Sequence, residues 1–484
     1  MKKYINHLLV SSTIFLTACL GQLEKAPYGE ALEDDFYKTS EDAISAINAA
    51  YTQAQWINDG FFSPMAALDC SSDDVFKGGG HAGDQAGLTE LSNYTITTSN
   101  TIVGDKWSSA YQGIFKTNKV LEKVPEIEMD ETLKNRILGE AYFLRGYFYY
   151  DLLIQFGGVI KVDHPLSSEE FNKSRSSRSE IVDFIQEDLD LALGLLPKKS
   201  EYDQNNDLGR ATKGASLAYL IKLNVMEKKW AEAVQYSEQL FALGEYELEP
   251  DFRLIFEPEG EHCKESIWEI NFEENSIAGW LKGNPGTWNN IVFMPRSING
   301  TGFCQVTDDL RNAFEDDDPR AESTIYQHES TDYGTSYYSR KYCSTPFSSY
   351  PWPSNGASHG GHNYRAVRLS DIYLLYAEAQ FHLGNEEQAR VYINKVRARA
   401  RGGKEGILAD VTTTGTDLLE SIYHERRVEL AMEGHRFWDL LRTDRAATIL
   451  KDKGFIKGIH ELRPIPLSEI TLGNGRIEQN DGYQ

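Results

Sequence analysis

Cysteine is scarce in this chain, and so is every short motif that would tie it to metal, nucleotide or hydrolytic chemistry. Five of the 484 residues are cysteines: Cys19, Cys70, Cys263, Cys304 and Cys343. They are widely spaced and form no CxxC, which removes both the ligand spacing of a structural zinc site and the thioredoxin motif. One or two bridges among the last four, or buried free thiols, are both open in an oxidising compartment. GxSxG, HExxH and Walker A stretches are missing, and no GxGxxG joins a strand to a helix, so no sequence signature points to a catalytic residue or a bound metal. Basic residues are also in deficit. Lys and Arg number 49 against 73 Asp and Glu, a net charge of −24, and a field of this sign repels phosphate backbones and excludes nucleic acid as a partner. Long apolar runs are absent too: the stretch from Leu8 to Ala18 falls short of the ~20 residues needed to span a bilayer.

That short stretch is informative in its own right. Lys2 and Lys3 precede it and small residues close it before Cys19, the pattern of a secretory signal over residues 1–18. Leu16-Thr17-Ala18-Cys19 resembles a bacterial lipobox, which predicts cleavage before Cys19 and lipidation of its thiol, each buried methylene adding ~0.8 kcal/mol to anchoring. An ordinary signal peptide with an incidental cysteine is the alternative. Leu20 stands where an aspartate would favour inner-membrane retention, so outer-membrane delivery is permitted.

The remainder divides by periodicity. Ile137, Ala141, Leu144, Phe148 and Leu152 recur at three- and four-residue steps and predict one buried helix face. Gly157-Gly158 stops that helix, and a second runs from Ser179 to Leu196. Thr212 to Leu243 reads as a helical hairpin bending at Lys228-Lys229-Trp230. Ile372 to Ala400 repeats the plan around Gly384-Asn385. Between these lies a breaker-rich middle in which Ser266 to Phe272 and Asn290 to Met294 alternate like strands. The expectation is a mostly α protein: a tetratricopeptide-like scaffold of helical hairpins with a loop-rich insertion containing short strands, divided as 19–246, 247–363 and 364–484.

Several blocks then bear a family resemblance. Gly139-Glu140-Ala141-Tyr142-Phe143-Leu144-Arg145, closing on Phe156-Gly157-Gly158-Val159, is similar to the hallmark helix of SusD/RagB-like lipoproteins. Tyr111 to Leu121, Gly209-Arg210-Ala211-Thr212-Lys213 and Arg368-Leu369-Ser370-Asp371 through Ala379 match further blocks. Glu425-Arg426-Arg427, Glu433-Gly434-His435-Arg436-Phe437-Trp438-Asp439 and Pro464-Ile465-Pro466 resemble the closing signature. Gly146 in the hallmark helix and Asp481 near the C-terminus depart from the family's pattern, where alanine and proline are usual. The resemblance implies a tetratricopeptide-like fold and a cell-surface lipoprotein that captures an oligosaccharide for a SusC-like TonB-dependent outer-membrane transporter; RagB-like members take peptides instead. A glycoside hydrolase and a pure protein-interaction scaffold are the more distant alternatives.

Sugar rings present apolar CH faces rimmed by hydroxyls, so a site needs exposed rings beside fixed donors and acceptors. Trp280, Asn284, Trp288, Asn289 and Arg296 lie together in the breaker-rich middle, with loop anchoring as the alternative for the tryptophans. Arg340 is a further candidate in this part of the chain. Tyr350 and Trp352 are held out by Pro351 and Pro353. Asp73 and Asp74, followed by Gly78-Gly79-Gly80-His81, resemble the family's early loop, where the carboxylates and His81 accept hydroxyls or cap the next segment. Glu425, Arg426, Arg427, Glu429 and Glu433 lie at helical spacings that allow ion pairs on one face, worth about 0.2–0.5 kcal/mol each when exposed, and are read as scaffold rather than catalyst. In Asp316-Asp317-Asp318-Pro319-Arg320 the proline is expected to end a helix and an aspartate to pair with Arg320. No cofactor is expected; calcium on those aspartates is a minor alternative without EF-hand spacing.

Overall fold

The computed structural model describes residues 36–81, 83–204, 206–273, 286–298, 300–330, 334–342 and 360–483. Cys19 and its lipobox, Trp280, Asn284, Cys343, Tyr350 and Trp352 lie outside the described residues.

Helices α1 (Ser40–Ile57), α2 (Ala86–Asn93), α3 (Thr101–Lys123), α4 (Glu131–Phe156), α5 (Arg178–Leu195), α6 (Lys213–Met226) and α7 (Trp230–Ala242) form the first part of the scaffold. Their starts follow local chemistry. Thr39 with Asp42, and Ser177 with Glu180, close capping boxes at α1 and α5, and the Asp130 side chain accepts from the Leu133 N–H at α4. Each satisfies amides that the first turn leaves without a partner. The face predicted for α4 is fully buried at Ile137, Ala141, Leu144, Phe148 and Leu152, and Gly157 ends the helix at φ +73°. A side chain at Gly113 of α3 would run into the Phe148 ring, so glycine sets how closely α3 approaches α4.

The middle contributes strand β2 (Ser266–Ile270), β3 (Phe303–Val306), helices α8 (Asp308–Ala313) and α9 (Pro319–Thr324), and the hairpin β4 (Ile325–Ser330) to β5 (Gly334–Ser339). β6 (Tyr364–Arg368) then returns to pair antiparallel with β2, and β3 pairs with β1 (Val75–Gly78) from the first part of the chain. Two expectations are corrected here. Asn290 to Met294 is not a strand: Asn289–Val292 forms a helical turn, because Asp59 and Thr287 accept the first amides, those of Trp288 and Asn289. Pro319 opens α9 rather than ending a helix, since its missing N–H costs nothing in a first turn and Asp318 caps it.

Helices α10 (Leu369–His382), α11 (Glu386–Ala400), α12 (Gly415–Glu429) and α13 (Arg436–Arg442) complete the scaffold. Neighbours along the chain pack in sequence, α3 on α4, α4 on α5, α5 on α6 and α6 on α7; α10 then packs on α7 and α11, and α11 on α12, as a stack of helical hairpins does. These charged residues of the closing signature are buried: Glu425, Arg426, Glu429 and Glu433 are all at most 1% exposed. Their partners arrive from elsewhere. Glu429 receives Arg320 of α9 at 3.0 Å, Arg368 at the end of β6 at 2.6 Å, and Arg399 of α11. Glu433 takes Arg368 and Lys341.

Candidate functional site

The early loop is built on β1 and β3. Their register sets Val75 opposite Val306 and Gly78 opposite Phe303, and the Gly79 amide donates to the Gly302 carbonyl at 2.8 Å. Gly79 has φ +81°, and a side chain there would run into the Phe303 ring, so the chain passes this point only as glycine. Beyond it the loop closes on itself. Lys77 Nζ donates to the His81 carbonyl at 3.1 Å, Gly80 N–H to Asp84 at 2.9 Å, and Arg296 Nη1 to the same carboxylate at 3.3 Å. The guanidinium of Arg296 packs against the bare Cα of Gly80.

A groove of about 760 Å³ runs along this ribbon, lined by Phe76, His81, Ser92, Asn93, Gln305 and Lys453 among others. Strand alternation turns Val75 and Lys77 inward and leaves Phe76 61% exposed, a flat apolar ring beside amide, hydroxyl and ammonium groups. The buried Phe303 ring meets Phe61 edge-on, and Trp56 and Phe62 form a second ring pair. These two rings are half-buried, with centroids 5.6 Å apart. Next to Trp56, Gln55 donates to the Asn271 carbonyl at 2.7 Å and lines a smaller cleft of about 260 Å³ with Tyr51, Arg210 and Asn271.

The candidates divide by what the fold does with them. His81 is exposed and borders the groove, and Arg296 stays partly exposed beside it. Asp73 edges the groove, but both of its oxygens are taken by Arg436, at 2.8 and 2.7 Å, and Arg427 is 3.1 Å away. Burial opposes its ionisation, yet these two guanidiniums hold its carboxyl below the ordinary range. Asp74 is buried on Arg427, and burial pushes its carboxyl up. The pair therefore clamps the early loop to the closing helices. Trp288 is 8% exposed and presents no open ring face; its N–H donates to Asp59 at 2.6 Å, and the buried Asn289 donates to the Asn58 carbonyl at 3.2 Å. These contacts fit the loop-anchor alternative. Burial pushes the Asp59 carboxyl up to about 6, against hydrogen bonds from Thr287 and Trp288 that lower it. Arg340 sits at the foot of the β4–β5 hairpin, its amide on the Thr324 carbonyl at 2.8 Å and its guanidinium on that of Glu322 at 3.0 Å.

The Phe272 amide donates to Asn363 at 2.8 Å, and Thr287 and Gly360 exchange hydrogen bonds of 2.8 and 2.9 Å. Phe76, Asn93 and Gln305 were not singled out from the sequence, in which Val75-Phe76-Lys77 shows no apolar–polar alternation; only the fold leaves the Phe76 ring exposed. Asp318 is committed to Arg320, and among the described residues no group of three or more His, Cys, Asp or Glu side chains is placed to hold a metal ion.

Two family models match the chain: the SusD family over residues 320–483, and "Starch-binding associating with outer membrane" over residues 76–224. SusD-like protein P2 of Formosa agariphila is 26% identical, with all of both chains covered. Among solved structures, a "Laminarin binding SusD-like protein" is 30% identical with a TM-score of 0.83, covering 92% of this chain and 100% of its own. Surface glycan-binding protein A from Bacteroides fluxus is 26% identical, TM-score 0.79, with the same coverage. The corresponding protein of Bacteroides thetaiotaomicron, solved with laminarihexaose, shares the fold at 22% identity, TM-score 0.79, covering 92% and 100%.

Proposed function

Because this chain belongs to the SusD family, we propose that it is a non-catalytic glycan-binding lipoprotein of the outer membrane. It captures an oligosaccharide and passes it to a SusC-like TonB-dependent transporter. The observation that carries the reading is the groove beside the glycine loop, where an exposed ring, Phe76, stands among Asn93, Gln305 and His81. Sugar rings stack CH faces on such a ring while amides and hydroxyls pair with the hydroxyl rim. The names of the two structural neighbours make laminarin and laminarihexaose the first ligands to test. Lipid on Cys19, facing the outside of the cell, keeps the binder beside its transporter, so a loosely held ligand is transferred before it diffuses away.

Calorimetric titration of the mature chain with laminarihexaose is expected to show saturable binding, with no shorter product on chromatography after prolonged incubation. Phe76→Ala is expected to weaken the affinity about five- to ten-fold, the size of one aromatic contact. Saturable binding of a peptide pool with no response to glycans assigns the chain to peptide capture instead, and shortened oligosaccharide assigns it to hydrolysis.

A further inference from the structure

The turn before β1 and strand β3 carry a pair of thiols that the binding function does not use. Cys70 lies in the turn Asp69–Ser71 below β1, and Cys304 lies in β3. Both are 0% exposed, and their sulfurs are 3.4 Å apart across a separation of 234 residues. Cys304 also adopts φ +55°, a left-handed angle that suits glycine or asparagine and that cysteine rarely takes. That turn of the backbone inside a strand brings its thiol to face Cys70. Cys263 has no sulfur neighbour among the described residues.

We propose that Cys70 and Cys304 form a disulfide in the exported protein. Bringing the sulfurs to the ~2.05 Å of a bond takes a closure of about 1.4 Å, within reach of side-chain rotation. The oxidant is a disulfide donor of the thiol–disulfide oxidoreductase class. One cysteine attacks the donor's disulfide and forms a mixed disulfide, and the second displaces the donor from it. The Cys70–Cys304 bond forms, the donor's sulfur–sulfur bond breaks, and the donor leaves as a dithiol with the two electrons and two protons of the pair. The exchange belongs to folding. Once folded, both sulfurs are sealed, burial pushes the Cys304 thiol up and away from the reactive thiolate, and Lys453 Nζ closes over the carbonyls of Cys70, Ser72 and Val75. The bond fixes the turn beneath β1 to β3, the two strands that carry Gly78, Phe76 and Gln305.

The test uses the mature chain refolded from the reduced, denatured state in a mixture of oxidised and reduced glutathione. Alkylation in denaturant without reductant, digestion and mass spectrometry should recover the Cys70 peptide joined to the Cys304 peptide. Recovery of both as separately alkylated peptides, or of either joined to Cys263 or Cys343, overturns the assignment. As a second measurement, reductant should lower the melting temperature of the oxidised chain by several degrees, because the link closes a long loop of the unfolded state. The folded double variant Cys70→Ala/Cys304→Ala should not respond to reductant. Equal responses of the two proteins overturn the proposal.

Discussion

At the scale of single residues, the site depends on where a side chain is forbidden as much as on where one is offered. Gly79 holds φ +81° with the Phe303 ring where its Cβ would lie, so Gly79→Ala meets both backbone strain and a collision. It is expected to cost about 1–3 kcal/mol in urea denaturation and to weaken glycan binding by displacing the His81 loop. Phe76 is the converse, a ring that strand alternation leaves exposed, and its replacement is expected to lower affinity more than stability. Asp73 and Trp288 show why residue type alone misleads. A carboxylate and a tryptophan suit a sugar equally well in sequence, but Arg436 and Arg427 claim the first and the segment rooted on Asp59 buries the second.

At the scale of elements, the closing helices are joined to the middle of the chain by buried charge. Glu429 faces Arg320, Arg368 and Arg399, and Glu433 faces Arg368 and Lys341. Removing one member strands its partners in a low dielectric, so Arg368→Met is expected to destabilise by about 3–5 kcal/mol in chemical denaturation, far more than an exposed pair. Burial alone would raise the carboxyls of Glu429 and Glu433, yet the arginines around Glu429, and Arg368 with Lys341 beside Glu433, outweigh it and hold both below the ordinary value of 4.5. A carboxylate depressed in the folded state stabilises fully above its unfolded value and loses that contribution as pH falls through the folded one. The contribution of this network to the melting temperature should therefore be flat above about pH 5.5 and decline as the medium is acidified below about 4.5, largely indifferent to added salt because the pairs are buried. The four-residue spacing of Glu425 and Glu429 showed in the sequence that they share a face of α12; Glu433, spaced to continue it, lies beyond the helix end at Glu429. That the face is interior did not show there, because Arg320 comes from 109 residues away and Arg368 from 61.

At the scale of the whole molecule, the helical scaffold was legible because its hairpins are local: apolar spacing, caps and turn glycines all act within one or two helices. The face that the scaffold supports was legible only in part. It draws Phe76 from β1, Asn93 from α2, Gln305 from β3 and Lys453 from near the C-terminus, and no periodicity links positions so far apart. The early loop was found through its aspartates and glycines, whereas Phe76 beside it was not singled out. The net charge of −24 leaves a neutral oligosaccharide free to approach while repelling polyanions, which agrees with capture of an uncharged glycan.

The central claim, capture of a glycan without cleavage at the groove beside the glycine loop, is tested most directly by titrating the mature protein and its Phe76→Ala variant with laminarihexaose and chromatographing the recovered ligand. The account predicts saturable binding by the parent chain, a five- to ten-fold loss in a variant that melts at the parent temperature, and ligand recovered at its original length. Unchanged affinity in the variant, no glycan binding by the parent, or shortened ligand would contradict it.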